Sequence, residues 1–284
     1  MPASDGLDRP RGLGEVFDHA IVIVVRNAFA VGVVSCAYFA LAEVVGSIGF
    51  LARIDSRFIM IFAVYAVFLP LSVILDATLG ATIVRPLDAV RIGISRLPFA
   101  LALAVPLALL FVLFIAIGTL GASILLGSVG AAVNRANPLV QVVFWSVPIV
   151  LLALVFAYCL AVAGLAITAI ALETRSPTRA IRLTFQRLSS WPAIRRAIVL
   201  ASAAGAVNAG CNVVGASIVS LLSVPLGDAP FASRALYAVM IALIGILTAP
   251  LNVAILVVFR RDLIVRREGV DLLSAIRPGA PAPS

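Results

Sequence analysis

Six long apolar stretches dominate this chain of 284 residues, and each exceeds the roughly 20 residues that a helix needs to cross a bilayer. They cover residues 27–51, 58–84, 97–127, 138–172, 197–225 and 235–259. Hydrophobic residues make up 63% of the chain and charged residues 12%, about half the charged share of a soluble domain. Because a spanning segment must pair its backbone polar groups internally, the stretches predict an all-α, polytopic membrane helical bundle with six transmembrane helices. We expect one domain over residues 1–276 and a disordered tail over 277–284.

The basic residues predict the orientation of the spans. All 21 are arginines, and 17 of them lie before the first span, between the second and third, between the fourth and fifth, or after the sixth. Only Arg53, Arg57, Arg135 and Arg234 lie on the other side. The positive-inside rule then predicts that both termini are cytoplasmic. We expect the protein to lie in the inner cell membrane. The net charge of +8 is better matched to anionic lipid headgroups than to nucleic acid, and we expect no nucleic-acid partner.

Two arginine-rich connections resemble each other. Residues 86–97 read PLDAVRIGISRL and residues 177–188 read PTRAIRLTFQRL, with five of twelve positions identical. Residues 13–26 form a weaker third copy. The apolar faces at helical spacing are Leu87, Val90, Ile94 and Leu97; Ala180, Ile181, Thr184, Phe185 and Leu188; and Leu13, Phe17, Ala20, Ile21 and Val24.

These segments predict amphipathic helices on the cytoplasmic surface. In the second copy, Ser176 is a suitable N-cap and Pro177 a suitable first helical residue. With a transmembrane hairpin after each helix, the chain becomes three parallel repeats. The open alternative is that basic connectors built from few residue types resemble one another by chance.

Five polar residues inside the spans are candidates for an intramembrane site. They are Glu43, Asp76, Asn208, Asn212 and Asn252. A charge near the bilayer centre costs roughly 2.5–3.5 kcal/mol, so the two acids must face protein, water or each other. Along ideal helices, Asn208 and Asn252 lie near the depth of Asp76, and Asn212 lies near the depth of Glu43. We predict a polar seam in the bundle interior, which serves either interhelical hydrogen bonding or passage of a solute or protons.

A second set of candidates consists of arginines beside the spans, which can contact anionic headgroups or an acidic protein partner. These residues are Arg85, Arg91, Arg96, Arg179, Arg182, Arg187, Arg266 and Arg267.

Enzymatic chemistry has little support in the sequence. The chain has one histidine, His19, and no HExxH, GxSxG or glycine-rich phosphate-loop motif. Cys36, Cys159 and Cys211 lie inside spans without CxxC spacing, which indicates neither a metal site nor a disulfide framework. We expect no catalytic residue, no metal and no cofactor, and therefore a protein that is not an enzyme.

Three segments resemble a known family. They are LGEVFDHA at residues 13–20 followed by Arg26 and Asn27, ALETRSPTRAIR at 171–182, and DLIVRREGVDL at 262–272. They are similar to segments of the bacterial six-span family named for the membrane domain of glycerophosphoryl diester phosphodiesterases. This chain departs from the family pattern at His19, at Ile264, and at Arg260 and Arg261, where the family has arginine, arginine and paired aromatics. Active members carry a separate soluble catalytic barrel, for which this chain has no room.

The resemblance therefore implies a stand-alone bacterial inner-membrane protein associated with envelope or lipid-handling enzymes, without phosphodiesterase activity. Our leading hypothesis is a non-enzymatic scaffold or regulator that uses its arginine-rich surfaces. The alternative is a permease or channel for a small solute or lipid that uses the polar seam. An intramembrane enzyme is a third hypothesis, which would require a polar pocket that the sequence does not indicate.

Overall fold

The computed structural model describes residues 11–37, 56–80, 82, 84–133, 138–223 and 230–276, and within these ranges it contains helices and no strand. Ion pairs and apolar packing bring the helices together chiefly at one end of the bundle. The helices are α1 Leu13–Arg26, α2 with the described part Ala28–Ala37, α3 Ser56–Leu79, α4 Pro86–Val133, α5 Pro138–Leu172, α6 Pro177–Arg187, α7 Trp191–Ser223 and α8 Pro230–Ile276.

Four of these helices contain a segment long and apolar enough to cross a membrane. The segments are Pro86–Leu109, Leu152–Leu172, Trp191–Leu222 and Leu243–Arg267. Helices α1 and α2 meet at a bend of 80° and supply a fifth candidate if they count as one span, while Tyr65–Leu79 of α3 is a shorter apolar helix. The prediction of an all-α membrane bundle is thus confirmed with four to five candidate spans among the described residues. Six spans and three repeats stay predictions, and Glu43 and the tail 277–284 lie outside the described residues.

The bend between α1 and α2 is fixed by Asn27. Its side-chain Nδ2 donates to the carbonyl oxygen of Ile23 at 2.9 Å and to Oγ1 of Thr78 on α3 at 2.7 Å. The Thr78 hydroxyl in turn donates to the carbonyl oxygen of Ile74 at 2.9 Å. The Ile23 carbonyl also accepts from the backbone N–H of Asn27, so the side-chain amide adds a second bond at the end of α1 and ties the bend to α3.

The described core lies at what we call the arginine-rich end. This is the region where α1, the starts of α4 and α7, helix α6, and residues 260–267 of α8 meet. Phe259 of α8, Leu75 of α3, Leu165 of α5 and Val16 of α1 are among its buried residues and belong to one apolar cluster. This packing holds in place the helix ends that carry the charged side chains.

The predicted apolar faces are only partly the packed faces. On α4, Leu87 is 82% exposed and Ile94 62% exposed, whereas Ala89 is fully buried. On α1, Val16, Ala20 and Ile23 are buried but Ile21 is 49% exposed, and on α6 Phe185 is 45% exposed. Large apolar side chains can stay exposed because lipid surrounds the helices. Helices in a membrane approach each other through small residues, which are therefore the buried ones.

The two similar connections also differ in structure. Helix α6 is separate, and it begins at Pro177 with Ser176 as N-cap, as predicted. The segment 86–97 was wrongly expected to be a helix of its own, because α4 continues without a break from Pro86 to Val133. Residues 86–97 are therefore the first turns of a long helix that packs on α3.

Gly93 permits this close packing of α4 on α3. A Cβ atom at this position would lie 2.8 Å from Cδ of Pro70 and 3.0 Å from its backbone nitrogen, and neither atom can rotate away. We expect Gly93→Ala to lower the free energy of unfolding by about 1–3 kcal/mol, the usual cost of overpacking. Melting of the detergent-solubilised variant measures this.

Gly205→Ala on α7 is the matched control, because no atom lies within 4 Å of a Cβ built there. It should leave stability unchanged or raise it by up to about 1 kcal/mol, since alanine favours helix. A Gly93→Ala variant as stable as Gly205→Ala would show that α3 and α4 do not pack in this way.

Candidate functional site

Four charged residues from four elements meet at the arginine-rich end, and we call them the Glu173 network: Asp76, Glu173, Arg187 and Arg260. Arg187 donates from Nη1 and Nη2 to the two carboxylate oxygens of Glu173 at 2.7 and 2.6 Å. Arg260 donates from Nε to Oε1 of Glu173 at 2.6 Å and from Nη1 to Oδ1 of Asp76 at 3.2 Å. Such paired, charge-assisted bonds are among the strong hydrogen bonds of proteins. They join α3, the end of α5, α6 and α8.

Glu173 stays ionised in this setting. Burial by itself raises its pKa, but the hydrogen bond from Arg187 and the charge and hydrogen bond of Arg260 outweigh burial, so the pKa lies below its ordinary value. The Glu173 side chain is 22% exposed, and those of Arg187 and Arg260 are each 10% exposed. The carboxylate is therefore a permanent anchor for two arginines at neutral pH.

A second set, the Asp262 network, consists of Arg11, Arg196, Asp262 and Arg266. The Asp262 side chain is completely buried, and its Oδ2 lies 2.9 Å from Nε of Arg266 and 3.2 Å from Nη2 of Arg196. The backbone N–H of Arg11 donates to Oδ1 of Asp262 at 2.7 Å. The Arg11 carbonyl oxygen accepts from Nη2 of Arg266 at 2.8 Å and also from Nη2 of Arg196. One carboxylate thus holds the N-terminal segment, α7 and α8 together.

Helix α8 belongs to both networks because of its geometry. Arg260 and Asp262 are two residues apart and point about 200° apart around the helix axis. Arg266 follows Asp262 by four residues and so returns to the same face. The end of α8 therefore contributes residues to both networks, which lie on opposite sides of the helix.

The predicted seam residues have separate surroundings. Asp76 binds Arg260, and Nδ2 of Asn212 donates within its own helix to the carbonyl oxygen of Asn208 at 2.8 Å. Asn208 and Asn252 are half-buried. Within the described ranges, no hydrogen bond joins Asp76 to any of the three asparagines. The seam stays a prediction, since Glu43 lies outside those ranges.

The predicted surface arginines fall into two groups. Arg96, Arg187 and Arg266 are used structurally, since Nη1 of Arg96 donates to the carbonyl oxygen of Ile170 at 2.7 Å and the other two belong to the networks. The exposed members are Arg85, Arg91, Arg179, Arg182 and Arg267.

Sequence reasoning missed most of the network residues: Arg11, Glu173, Arg196, Arg260 and Asp262. A signal was available, because Glu173 and Asp262 are acids placed among arginines at the ends of apolar stretches. An acid in such a place is expected to be paired. The partner of each acid could not be read from the sequence.

The fold and the two networks define a multi-pass helical membrane protein whose helices are ionically joined at one end. In the described part of the chain, no group of three or more histidine, cysteine, aspartate or glutamate residues is arranged to hold a metal ion. No family model, no curated protein and no solved structure matches this chain.

Proposed function

We propose that this chain is a non-enzymatic protein of a bacterial inner membrane, with six spans and with both termini and the arginine-rich end in the cytoplasm. It acts as a scaffold or regulator of envelope or lipid-related partners. The basic surface at that end binds anionic lipid headgroups and so sets the position of the partner-binding face.

The main support for this proposal is a group of exposed arginines, two on the anchored helix α6 and one just before it. Arg175, Arg179 and Arg182 are exposed, and we call them the α6 basic surface. The other side of α6 is anchored, since Ala180, Thr184 and Leu188 are buried and Arg187 binds Glu173. The exposed charges are thereby presented without a large loss of backbone freedom on binding.

The resemblance to the glycerophosphoryl diester phosphodiesterase membrane-domain family also supports the proposal. Residues that carry the resemblance, including Glu173, Asp262 and Arg266, are members of the two networks. Their part in holding the helices together gives a structural reason for these residue types at these positions. A scaffold role then requires no catalytic barrel.

The test replaces all three arginines of the α6 basic surface with glutamine. Purified protein is equilibrated with mixed phosphatidylglycerol and phosphatidylcholine micelles, and the retained lipids and any co-purifying protein are measured by mass spectrometry. We expect phosphatidylglycerol enrichment to fall several-fold for each arginine removed, because each basic residue near an anionic surface contributes about 1 kcal/mol.

Replacing the same residues with lysine is the matched control, and it should preserve the enrichment because the charge is kept. Equal lipid enrichment and equal protein recovery with the glutamine variant would contradict the proposal. The alternative of a permease or channel has less support among the described residues. Asp76 is engaged by Arg260, so its use by a solute would require that ion pair to open.

A further inference from the structure

The end of α6, the turn before α7, the start of α7 and the end of α8 line an open cavity of about 300 Å³. This volume is at the lower end of the range for small-ligand sites, about 300–1,000 Å³. The polar lining residues used below are Arg187, Ser189, Ser190, Arg196, Arg266 and Arg267. Four arginines thus surround one cavity, and no acid lines it.

The arginines around the cavity are incompletely neutralised. Arg196 and Arg266 share the single carboxylate of Asp262, which lies outside the cavity lining. The Nε atom of Arg196 is buried and has no hydrogen-bond partner in the described structure. Arg267 is exposed on the same wall. Arg187 is paired with Glu173, but Arg267 has no ion pair among the described residues, so the wall retains net positive charge after both networks have formed.

The start of α7 lies beside the same cavity. Ser190 precedes the helix, and its hydroxyl accepts a hydrogen bond from the backbone nitrogen of Ala193 at 3.4 Å. Helix α7 is 33 residues long and has no acidic residue in its first turn. Pro192 has no N–H and the N–H of Ala193 is already bound, so the start of α7 contributes mainly the positive end of the helix dipole.

We propose that this cavity binds a phosphoryl group, either in the headgroup of an anionic phospholipid or in a soluble phosphate ester. Guanidinium groups, serine hydroxyls and a helix N-terminus are the donors that proteins combine around phosphate. Trp191, 69% exposed at the first position of α7, and Phe185, 45% exposed on α6, lie close by in sequence and are suited to a membrane interface. The site shares no residue with the α6 basic surface, so it stands or falls independently of the proposed function.

The experiment uses the full chain in a neutral detergent. Inorganic phosphate, sulfate and chloride are titrated while thermal stability is followed, and retained lipid is measured after exposure to equal amounts of phosphatidylglycerol and phosphatidylcholine. Two variants change the cavity: Arg267→Gln removes an exposed charge, and Ser189→Asp places a negative charge at the exposed rim. Neither residue belongs to an ion-pair network, so both variants should fold. Arg26→Gln removes the same charge at an exposed position on α1, outside both the cavity and the α6 basic surface, and is the matched control.

We expect phosphate to stabilise the wild-type protein more than chloride does, or phosphatidylglycerol to be retained selectively. Each cavity variant should weaken that response by about tenfold, the effect of losing roughly 1.4 kcal/mol of a charge-assisted contact. A response to free phosphate identifies a soluble ester as the ligand source, and selective lipid retention alone identifies a headgroup. Equal losses with Arg26→Gln would reduce the effect to general charge and overturn the proposal, as would the absence of both responses.

Discussion

Asp262→Asn is expected to lower the free energy of unfolding by about 3–5 kcal/mol, the cost of removing one partner from a buried ion pair. The Asp262 side chain is completely buried and faces Arg196 and Arg266. Asparagine has nearly the same shape but no charge, so the Arg196 guanidinium, whose side chain is only 15% exposed, would lose its counter-charge, while Arg266 stays partly in solvent. Unfolding of the detergent-solubilised variant in denaturant measures the loss.

Trypsin cleavage near the N-terminus distinguishes loss of the Asp262 network from a general loss of stability. The backbone of Arg11 is held by Asp262, Arg196 and Arg266, and Arg11 is only 2% exposed. Trypsin should cleave after Arg11 much faster in Asp262→Asn than in the wild type, since the N-terminal segment is released. Asp18→Asn, at an exposed site on α1, is the control and should change stability by no more than about 0.5 kcal/mol. If both variants unfold and are cleaved like the wild type, the Asp262 network does not hold the protein together.

Arg260→Gln should be nearly as costly, by about 3 kcal/mol or more, because Glu173 and Asp76 lose a shared partner at once. Arg260→Lys should recover only part of the loss. A single ammonium group lacks the forked donors that contact the two carboxylates from Nε and Nη1. A double-mutant cycle with Glu173→Gln should give a coupling energy between about 0.5 and 3 kcal/mol, the range for residues in one network. Additive effects of the two substitutions would mean that Arg260 and Glu173 do not interact.

The contribution of Glu173 should also depend on pH in a defined direction. Its pKa in the folded protein is lowered, so the unfolded chain binds more protons in the acidic range and stability falls with acidification. The stabilisation is complete above the unfolded pKa, near the ordinary value of 4.5, and disappears as pH falls through the lower folded pKa. The stability difference between the wild type and Glu173→Gln should therefore be large at pH 7 and shrink below about pH 4. A difference that does not change with pH would contradict this assignment.

Local features of the fold could be predicted from the sequence where they depend on residues close together along the chain. The start of α6 is an example, because an N-cap serine followed by proline specifies a helix start through contacts within one turn. The apolar character of the long helices could also be predicted, because it depends only on the composition of each segment. Apolar faces were less predictable, since Leu87 and Ile94 can be exposed at no cost when the surroundings are lipid.

The candidate sites depend on contacts between distant parts of the chain, and these were not predictable. Asp76 and Arg260 are 184 positions apart, and Arg11 and Asp262 are 251 apart. The depth of Asp76 in an ideal helix suggested asparagine neighbours, because that estimate ignored the long arginine side chain at the end of α8. The cavity beside α7 could not be predicted either, although Arg187, Arg266 and Arg267 were among the arginines expected to contact anionic headgroups or an acidic partner.

The arginine-rich end is proposed to face the cytoplasm, and cysteine labelling can test this orientation. Cys36, Cys159 and Cys211 are first replaced with alanine, and Thr178→Cys then adds one thiol at an exposed position at the start of α6. A membrane-impermeant maleimide is applied to intact spheroplasts and to inside-out vesicles. We expect labelling of the vesicles alone, whereas labelling of intact spheroplasts would place the arginine-rich end outside the cytoplasm.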